Sequence, residues 1–179
     1  MRYAILILLL AGSLVAQDSP MVAAARGGKR GLGAMRPTMP EVRTVKWFNS
    51  APRSLADFKG RVLLVDFWTT WCGSCVAAHP KIQKLAADYG LRGFVAVLIH
   101  DRKTHTGRST EVLAENVLPQ YIAEHHITVP VAVADAGEFE QLAVHGVPHY
   151  VLVDRRGFIR YSGSGDLPDE RQIRTLLAE

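Results

Sequence analysis

Apolar positions along the chain form short runs separated by polar turns, and the spacing within the runs differs from one to the next. Continuous or alternating apolar runs are typical of strands, whereas apolar residues three or four positions apart are typical of helices. The run at 61–68 is apolar almost throughout, so we expect a central strand covered on both faces. The predicted strands are 42–48, 61–68, 94–99, 129–134, 150–153 and 158–161, and the predicted helices are 72–89, 109–126, 138–145 and 168–178, with a short helical turn at 54–59.

The first long helix is predicted over 72–89, and the sequence indicates where it should bend and where it should end. Pro80 lies inside it and should bend it, because proline removes a backbone hydrogen bond. Gly90 can end it. His79 precedes the proline and is expected to be a partly buried helix residue, with proton handling as the alternative.

The segment from 100 to 126 is predicted to be a loop followed by a broken helix. Residues 100–107 are polar and should form an exposed loop, and their histidines lack acidic or thiol partners at metal-ligand spacing. Ser109 or Thr110 should cap the helix that follows, and Pro119 should split that helix into two pieces.

Two cysteines, Cys72 and Cys75, are the only cysteines in the chain, and they stand where the strand at 61–68 passes into the first long helix. A C-x-x-C pair at such a junction is typical of thiol–disulfide exchange centres. At a helix N-terminus, free N–H groups and the helix dipole favour a thiolate, so the pKa of Cys72 should lie below that of a free cysteine, ~8.5. Cys72 is therefore the candidate nucleophile.

Cys75 follows one helical turn later on the same face, which makes it the candidate resolving thiol that opens a mixed disulfide. The spacer residues Gly73 and Ser74 are small and uncharged and should leave the Cys72 sulfur accessible. Asp66 is the one carboxylate in an apolar strand, so burial should raise its pKa and let it accept the Cys75 proton. The alternative is a carboxylate that reaches a solvated rim.

Other uses of the cysteine pair fit the sequence less well. A structural disulfide across two residues of one helix would constrain almost no chain entropy. A zinc site usually needs four ligands, and one C-x-x-C pair with His79 cannot supply them, so no metal is expected. Covalent haem attachment needs histidine directly after the second cysteine, where this chain has Val76.

Length and composition predict one domain with an N-terminal extension. The chain has 179 residues, 48% of them hydrophobic, and a formal net charge of +4 that calls for no nucleic-acid partner. Residues 1–16 have a basic start, an apolar run and small residues before a cut, as secretory signals do, and an uncleaved anchor is the alternative. Residues 17–40 are rich in glycine, proline and basic residues and should form a flexible linker, which leaves 41–179 as the domain.

The segment from the central strand to the cysteine pair resembles the thioredoxin superfamily. The superfamily pattern of apolar strand, Asp, aromatic pair, Trp and Cys-Gly-x-Cys is filled by Asp66, Phe67, Trp68, Trp71, Cys72, Gly73 and Cys75. Pro80 stands at the expected offset after the cysteines. The chain departs at Ser74, where thioredoxin has proline, and this position influences redox poise. Two further features resemble the TlpA/ResA-like branch of the superfamily. These are the segment Phe58-Lys59-Gly60 before the central strand and the long stretch of chain between core strands.

The resemblance implies a thioredoxin-like α/β fold, in which a central mixed sheet is flanked by helices, with an N-terminal strand extension and a helix-plus-strand insertion. It implies a cis-proline at Pro148, with Val147 offering its backbone to a substrate peptide. Trp71, Val147 and Pro148 would then line an apolar substrate-binding patch.

In function, the resemblance implies a periplasmic or otherwise extracytoplasmic reductant of protein disulfides. It would act as a monomer, need no cofactor beyond the Cys72–Cys75 disulfide, and receive electrons from a membrane donor of the DsbD/CcdA type. Oxidants of the DsbA type carry Pro-His between their cysteines, unlike Gly-Ser here. A net disulfide donor and a non-catalytic docking module are the alternative functions.

Overall fold

The computed structural model of the chain describes residues 37–106 and 110–179. The predicted signal segment and residues 17–36 of the predicted linker lie outside this range. In the described part, the strands are β1 (Thr44–Phe48), β2 (Val62–Trp68), β3 (Phe94–His100), β4 (Lys103–Thr106), β5 (Thr110–Leu113), β6 (Val131–Ala134), β7 (His149–Val153) and β8 (Ile159–Ser164). The α-helices are α1 (Gly73–Tyr89), α2 (Ala114–Glu124), α3 (Glu138–Gln141) and α4 (Glu170–Ala178), and 3-10 turns cover Leu55–Phe58 and Gly90–Arg92.

Six strands form one mixed sheet in the order β1-β6-β3-β2-β7-β8. Strands β2, β3 and β6 run parallel to one another, whereas β1, β7 and β8 are antiparallel to their neighbours. The central strand β2 is buried along its whole length, as its apolar run predicts. Its carboxyl end leads directly to the cysteine pair, so the most rigid part of the sheet positions the site.

The core divides into two clusters, one on each face of the sheet, because successive side chains of β2 point to opposite sides. Val62, Leu64 and Trp68 pack with buried residues of α1, α2 and α4. Leu63, Val65 and Phe67 pack on the other face, against the first 3-10 turn and α3. By this alternation, Asp66 lies on the α1 face.

The insertion after β3 differs from the loop and broken helix that the sequence predicts. Lys103–Thr106 and Thr110–Leu113 pair as an antiparallel hairpin, so residues 103–106 of the predicted exposed loop form a strand instead. The polar composition of these strands gave no sequence signal for their pairing. Thr104, for example, is buried despite its hydroxyl group. The predicted helix and strand, α2 and β6, follow the hairpin.

Helix α2 also begins and runs differently from the prediction. It starts at Ala114, and its N-cap residue is Leu113, which makes no side-chain cap bond, so neither Ser109 nor Thr110 caps it. Pro119 lies inside one continuous helix instead of splitting it. Burial of Leu118 and Ile122 against the core offsets the hydrogen bond that proline removes.

The remaining boundaries shift by smaller amounts. The helix predicted at 138–145 ends at Gln141, because Ala143 adopts a left-handed φ of 57° that a helix cannot continue through. Thr38 forms a β-bridge with Phe158, and the Met39 N–H donates to the Gly157 carbonyl, so residues within the predicted linker contact the domain. In the described part of the chain, no helix combines the length and apolar character needed to cross a membrane.

Candidate active site

The cysteine pair sits at the start of α1, directly after the turn that ends β2. The Cys72 N–H donates to the Thr69 carbonyl, which closes the turn, and Cys72 is the N-cap residue of the helix. The Cys75 N–H donates to the Cys72 Sγ at 3.2 Å, so the sulfur takes the position of a capping oxygen. The predicted placement of Cys72 at a helix N-terminus is therefore confirmed.

The two cysteines form a disulfide bond, with Cα atoms 5.3 Å apart. Cys72 is 5% exposed and Cys75 is completely buried, so only Cys72 offers a route for attack from solvent. The difference in exposure agrees with the roles predicted for the two thiols, which remain predictions.

The two spacer residues lie on the exposed side of the first helical turn. A Cβ atom at Gly73 would meet no other atom within 4 Å, so the glycine leaves open space beside the sulfur atoms. The Ser74 Oγ lies 3.5 Å from the Cys72 Sγ, close enough for a weak hydrogen bond to that sulfur.

Asp66 is completely buried beneath α1, which excludes a carboxylate solvated at a rim. Its Oδ2 lies 3.4 Å from the Nε2 of His79, one helical turn after Cys75. Burial raises the pKa of Asp66, and the contact with His79 opposes part of that rise. The proton-relay role of Asp66 stays a prediction.

The Trp68 side chain packs between two histidines and anchors the end of β2. Its ring contacts His79 and His100 edge to face, with centroids 4.6 and 4.8 Å away, and Tyr121 of α2 packs beside it. Trp68 is fully buried, so this aromatic group joins β2, α1, β3 and the insertion at one point.

His100 holds the turn before the cysteines through one ring nitrogen. The Thr70 N–H donates to its Nε2 at 2.9 Å, and its Nδ1 contacts the Asp101 carbonyl. These partners assign the neutral tautomer with the proton on Nδ1. Burial lowers the pKa of His100 to about 4, because a charged ring there would be poorly solvated.

The predicted substrate-binding residues occupy the neighbouring end of the sheet. The Val147–Pro148 peptide bond is cis, as the resemblance implies. Phe67 pairs with His149 across β2 and β7, so Pro148 comes next to the end of β2 that leads to Cys72. Val147 packs against the core cluster that contains both cysteines, and the side chain of Trp71 is 59% exposed.

Val147 has a backbone that is free to bind. Within residues 37–106 and 110–179, no hydrogen bond uses its N–H or carbonyl group. The Pro148 carbonyl, in contrast, accepts the N–H of Gly165. This leaves Val147 as the place where an extended peptide could pair with the backbone beside the cysteines.

His149 follows the cis-proline and is held by two serines of β8. Its Nδ1 and Nε2 lie 3.0 and 2.9 Å from the hydroxyl groups of Ser164 and Ser162. Burial lowers the pKa of His149 to about 4. The side chain shares a face with Phe67, opposite α1, so it braces the proline segment from the far side of the sheet.

Three residues around the site make contacts that the sequence did not predict. His79 contacts Asp66, and His100 and Thr104 hold the cysteine turn, although the latter two were expected in an exposed loop. For His79, a signal was present, since it follows Cys75 by four residues and so shares its helix face. For Thr104, no local signal marks the contact, because it depends on how the hairpin folds back.

The fold and site together define a thioredoxin-like protein with a disulfide-linked C-x-x-C pair at the N-terminus of the helix that follows the central strand. A match to the Redoxin family extends over residues 38–177, and the chain belongs to that family.

Similar proteins agree with this assignment. The chain is 30% identical over 125 residues to the thiol:disulfide interchange protein DsbE of Pseudomonas aeruginosa, covering 69% of this chain and 61% of DsbE. It is 33% identical to the thiol-disulfide oxidoreductase ResA of Oceanobacillus iheyensis, covering 65% of this chain and 56% of ResA. The matches therefore span less than two thirds of either relative. A crystal structure of a thioredoxin-like superfamily protein superposes with a TM-score of 0.68 at 26% identity, covering 79% of this chain and 97% of that one.

Proposed function

We propose that this chain is a thiol–disulfide oxidoreductase that reduces disulfide bonds in protein clients outside the cytoplasmic membrane. The observation that carries the proposal is the Cys72 sulfur at the N-cap of α1, with Cys75 buried directly behind it. Its similarity to DsbE and ResA, which are named for thiol–disulfide chemistry, supports the same reaction class.

The reaction balances with the two cysteines alone. The Cys72 thiolate attacks a client disulfide, one client sulfur leaves and takes a proton, and a mixed disulfide forms. The Cys75 sulfur then attacks the Cys72 sulfur, and the second client sulfur leaves as a thiol. Two electrons pass to the client and the pair returns to the disulfide, so the reaction needs no further cofactor.

Client binding is assigned to the surface around Trp71, Val147 and Pro148. Trp71 offers an exposed apolar ring, and the N–H and carbonyl groups of Val147, which have no hydrogen-bond partner among the described residues, can pair with an extended peptide. We propose that the protein acts as a monomer, because the proposed reaction uses only residues of a single chain.

Reduction is proposed as the direction because the spacer is Gly-Ser rather than Pro-His. A reductant needs a supply of electrons, for which we propose a membrane donor of the DsbD/CcdA type. Clients of the apocytochrome c kind, or a copper-site cysteine pair, would suit such a reductant. The signal-like sequence at 1–16 supports delivery across the membrane, with cleavage or anchoring as the two outcomes.

Insulin reduction in the presence of dithiothreitol tests the reaction class. The wild-type protein should accelerate insulin precipitation, and Cys72→Ser should abolish the acceleration because it removes the attacking sulfur. Cys75→Ala should instead accumulate mixed disulfides with clients, which mass spectrometry would identify. An inactive wild type, with no change on Cys72→Ser, would contradict the proposal and favour a docking module.

Equilibration with glutathione tests the direction. A reductant should remain largely oxidised in glutathione mixtures that reduce a strongly oxidising pair, because its own disulfide is the more stable. A clearly oxidising potential would replace the reductant with a net disulfide donor.

A further inference from the structure

The contact between Asp66 and His79 joins two polar groups that are otherwise isolated in the core. Asp66 is completely buried and His79 is 3% exposed. In the described part of the chain, the two carboxylate oxygens of Asp66 and the two ring nitrogens of His79 make no hydrogen bond of ordinary geometry. The 3.4 Å separation between Asp66 Oδ2 and His79 Nε2 is the closest approach of a basic nitrogen to this carboxylate among the described residues.

The other ionisable groups around this pair cannot replace His79. Tyr150 of β7 stands opposite Asp66 in the sheet, and Tyr121 of α2 packs on Trp68, but within the described residues neither phenol donates a hydrogen bond to Asp66. His100 lies on the other side of Trp68, with both ring nitrogens engaged by the backbone.

A buried carboxylate without a donor stays protonated, and a protonated carboxyl group cannot accept another proton. Cys75 must lose its proton before it can attack the mixed disulfide, and solvent cannot reach it because it is completely buried. Asp66 faces the segment of α1 that contains Cys75, one turn before His79. The ionised state of Asp66 is therefore what the second step of the reaction requires.

We propose that His79 is a positioning residue that keeps Asp66 ionised by directing an Nε2–H group at its Oδ2. Asp66 then takes the proton from the Cys75 Sγ as that sulfur attacks Cys72, and the proton passes on to the departing client sulfur. His79 returns unchanged. This assignment rests on the proposed function, since it concerns the second step of the same reaction.

Oxidation of the reduced protein by Ellman's reagent separates the two steps. Attack by Cys72 releases one thionitrobenzoate, and attack by Cys75 on the resulting mixed disulfide releases a second. In His79→Leu, which has no donor, the first phase should be unchanged. The second phase should be about tenfold slower at pH 7, with its pH midpoint raised by about one unit.

Two further variants show whether the donor is what matters. His79→Gln keeps an N–H donor and should recover most of the rate of the second phase, whereas exposed His145→Leu should change neither phase. If His79 served only to pack on Trp68, His79→Leu would lower the stability of the protein without moving the pH midpoint of the second phase. Equal midpoints in wild type and His79→Leu would overturn the assignment, and a missing first phase in wild type would overturn the proposed function instead.

Nitrogen NMR of the reduced wild-type protein tests the geometry without any variant. The chemical shifts of the His79 ring should show a protonated Nε2 at pH values where the Asp66 carboxyl carbon reports an ionised group. A bare Nε2 facing an ionised Asp66 would contradict the assignment, even if His79→Leu failed to fold.

Discussion

The hydroxyl oxygens of Thr70 and Thr104 lie 2.6 Å apart, and this contact joins the turn before the cysteine pair to the inserted hairpin. The same turn is held by the hydrogen bond from the Thr70 N–H to His100 at the end of β3. Both contacts reach one residue, two positions before Cys72. The insertion therefore supports the position of Cys72 as well as extending the fold.

Removing the Thr104 hydroxyl should loosen this support. Thr104→Val keeps the shape but leaves the Thr70 hydroxyl without its partner, so we expect a loss of about 1 kcal/mol in the free energy of unfolding. Chemical denaturation measures the loss, and iodoacetamide labelling of the reduced protein measures whether the Cys72 reaction rate changes with it. Thr175→Val is the control, since its hydroxyl bonds within an exposed helical turn. Equal losses in the two variants would contradict a special role for Thr104.

Removing the exposed ring of Trp71 should weaken client binding while leaving the fold intact. Trp71→Ala should raise the KM for insulin several-fold and change the free energy of unfolding by less than about 0.5 kcal/mol, because the side chain is mostly exposed. Leu91→Ala removes another exposed apolar group, outside the cysteine turn, and should change neither quantity. An unchanged KM in Trp71→Ala would remove this residue from the client surface.

Replacing Asp66 should stabilise the protein at neutral pH. Burial raises the pKa of Asp66 above its ordinary 3.8, so at pH values between 3.8 and the raised pKa the folded state holds a proton that the unfolded state has already released. Asp66→Asn should therefore be more stable than wild type at pH 7, by about 1.4 kcal/mol for each unit of the rise, with the advantage shrinking toward pH 4. Denaturation at both pH values measures this, and Asp88→Asn in an exposed ion pair is the control. A wild type that gains stability over Asp66→Asn as the pH rises would contradict the sign.

His100 should produce the opposite dependence on pH. Its pKa is lowered from 6.5 to about 4, so below pH 6.5 the unfolded state binds a proton that the folded state does not, and stability falls as the pH decreases toward 4. His100→Gln, whose carbonyl oxygen can still accept the Thr70 N–H, should lose this dependence. When the pH is lowered from 7 to 5, both proteins should lose unfolding free energy. We expect the loss in His100→Gln to be roughly 2 kcal/mol smaller than the loss in wild type. Exposed His145→Gln should behave as wild type.

The sequence predicted the sheet well because the decisive signals are local. The apolar runs that became β2, β3 and β7 were identified within one or two residues of their ends. The insertion was predicted less well, since Lys103–Thr106 and Thr110–Leu113 have mostly polar side chains and pair only with each other. Their pairing gives no apolar periodicity from which strands could be recognised.

The position of Cys72 at the start of a helix could be determined from the sequence by itself, because an N-cap depends on the few residues that follow it. The surroundings of the site required the tertiary structure. The partner of Asp66 lies on another element, and Thr104 reaches Thr70 from 34 positions along the chain. Such contacts depend on how strands and helices pack, and a local pattern contains no information about which distant side chain will fill a buried space.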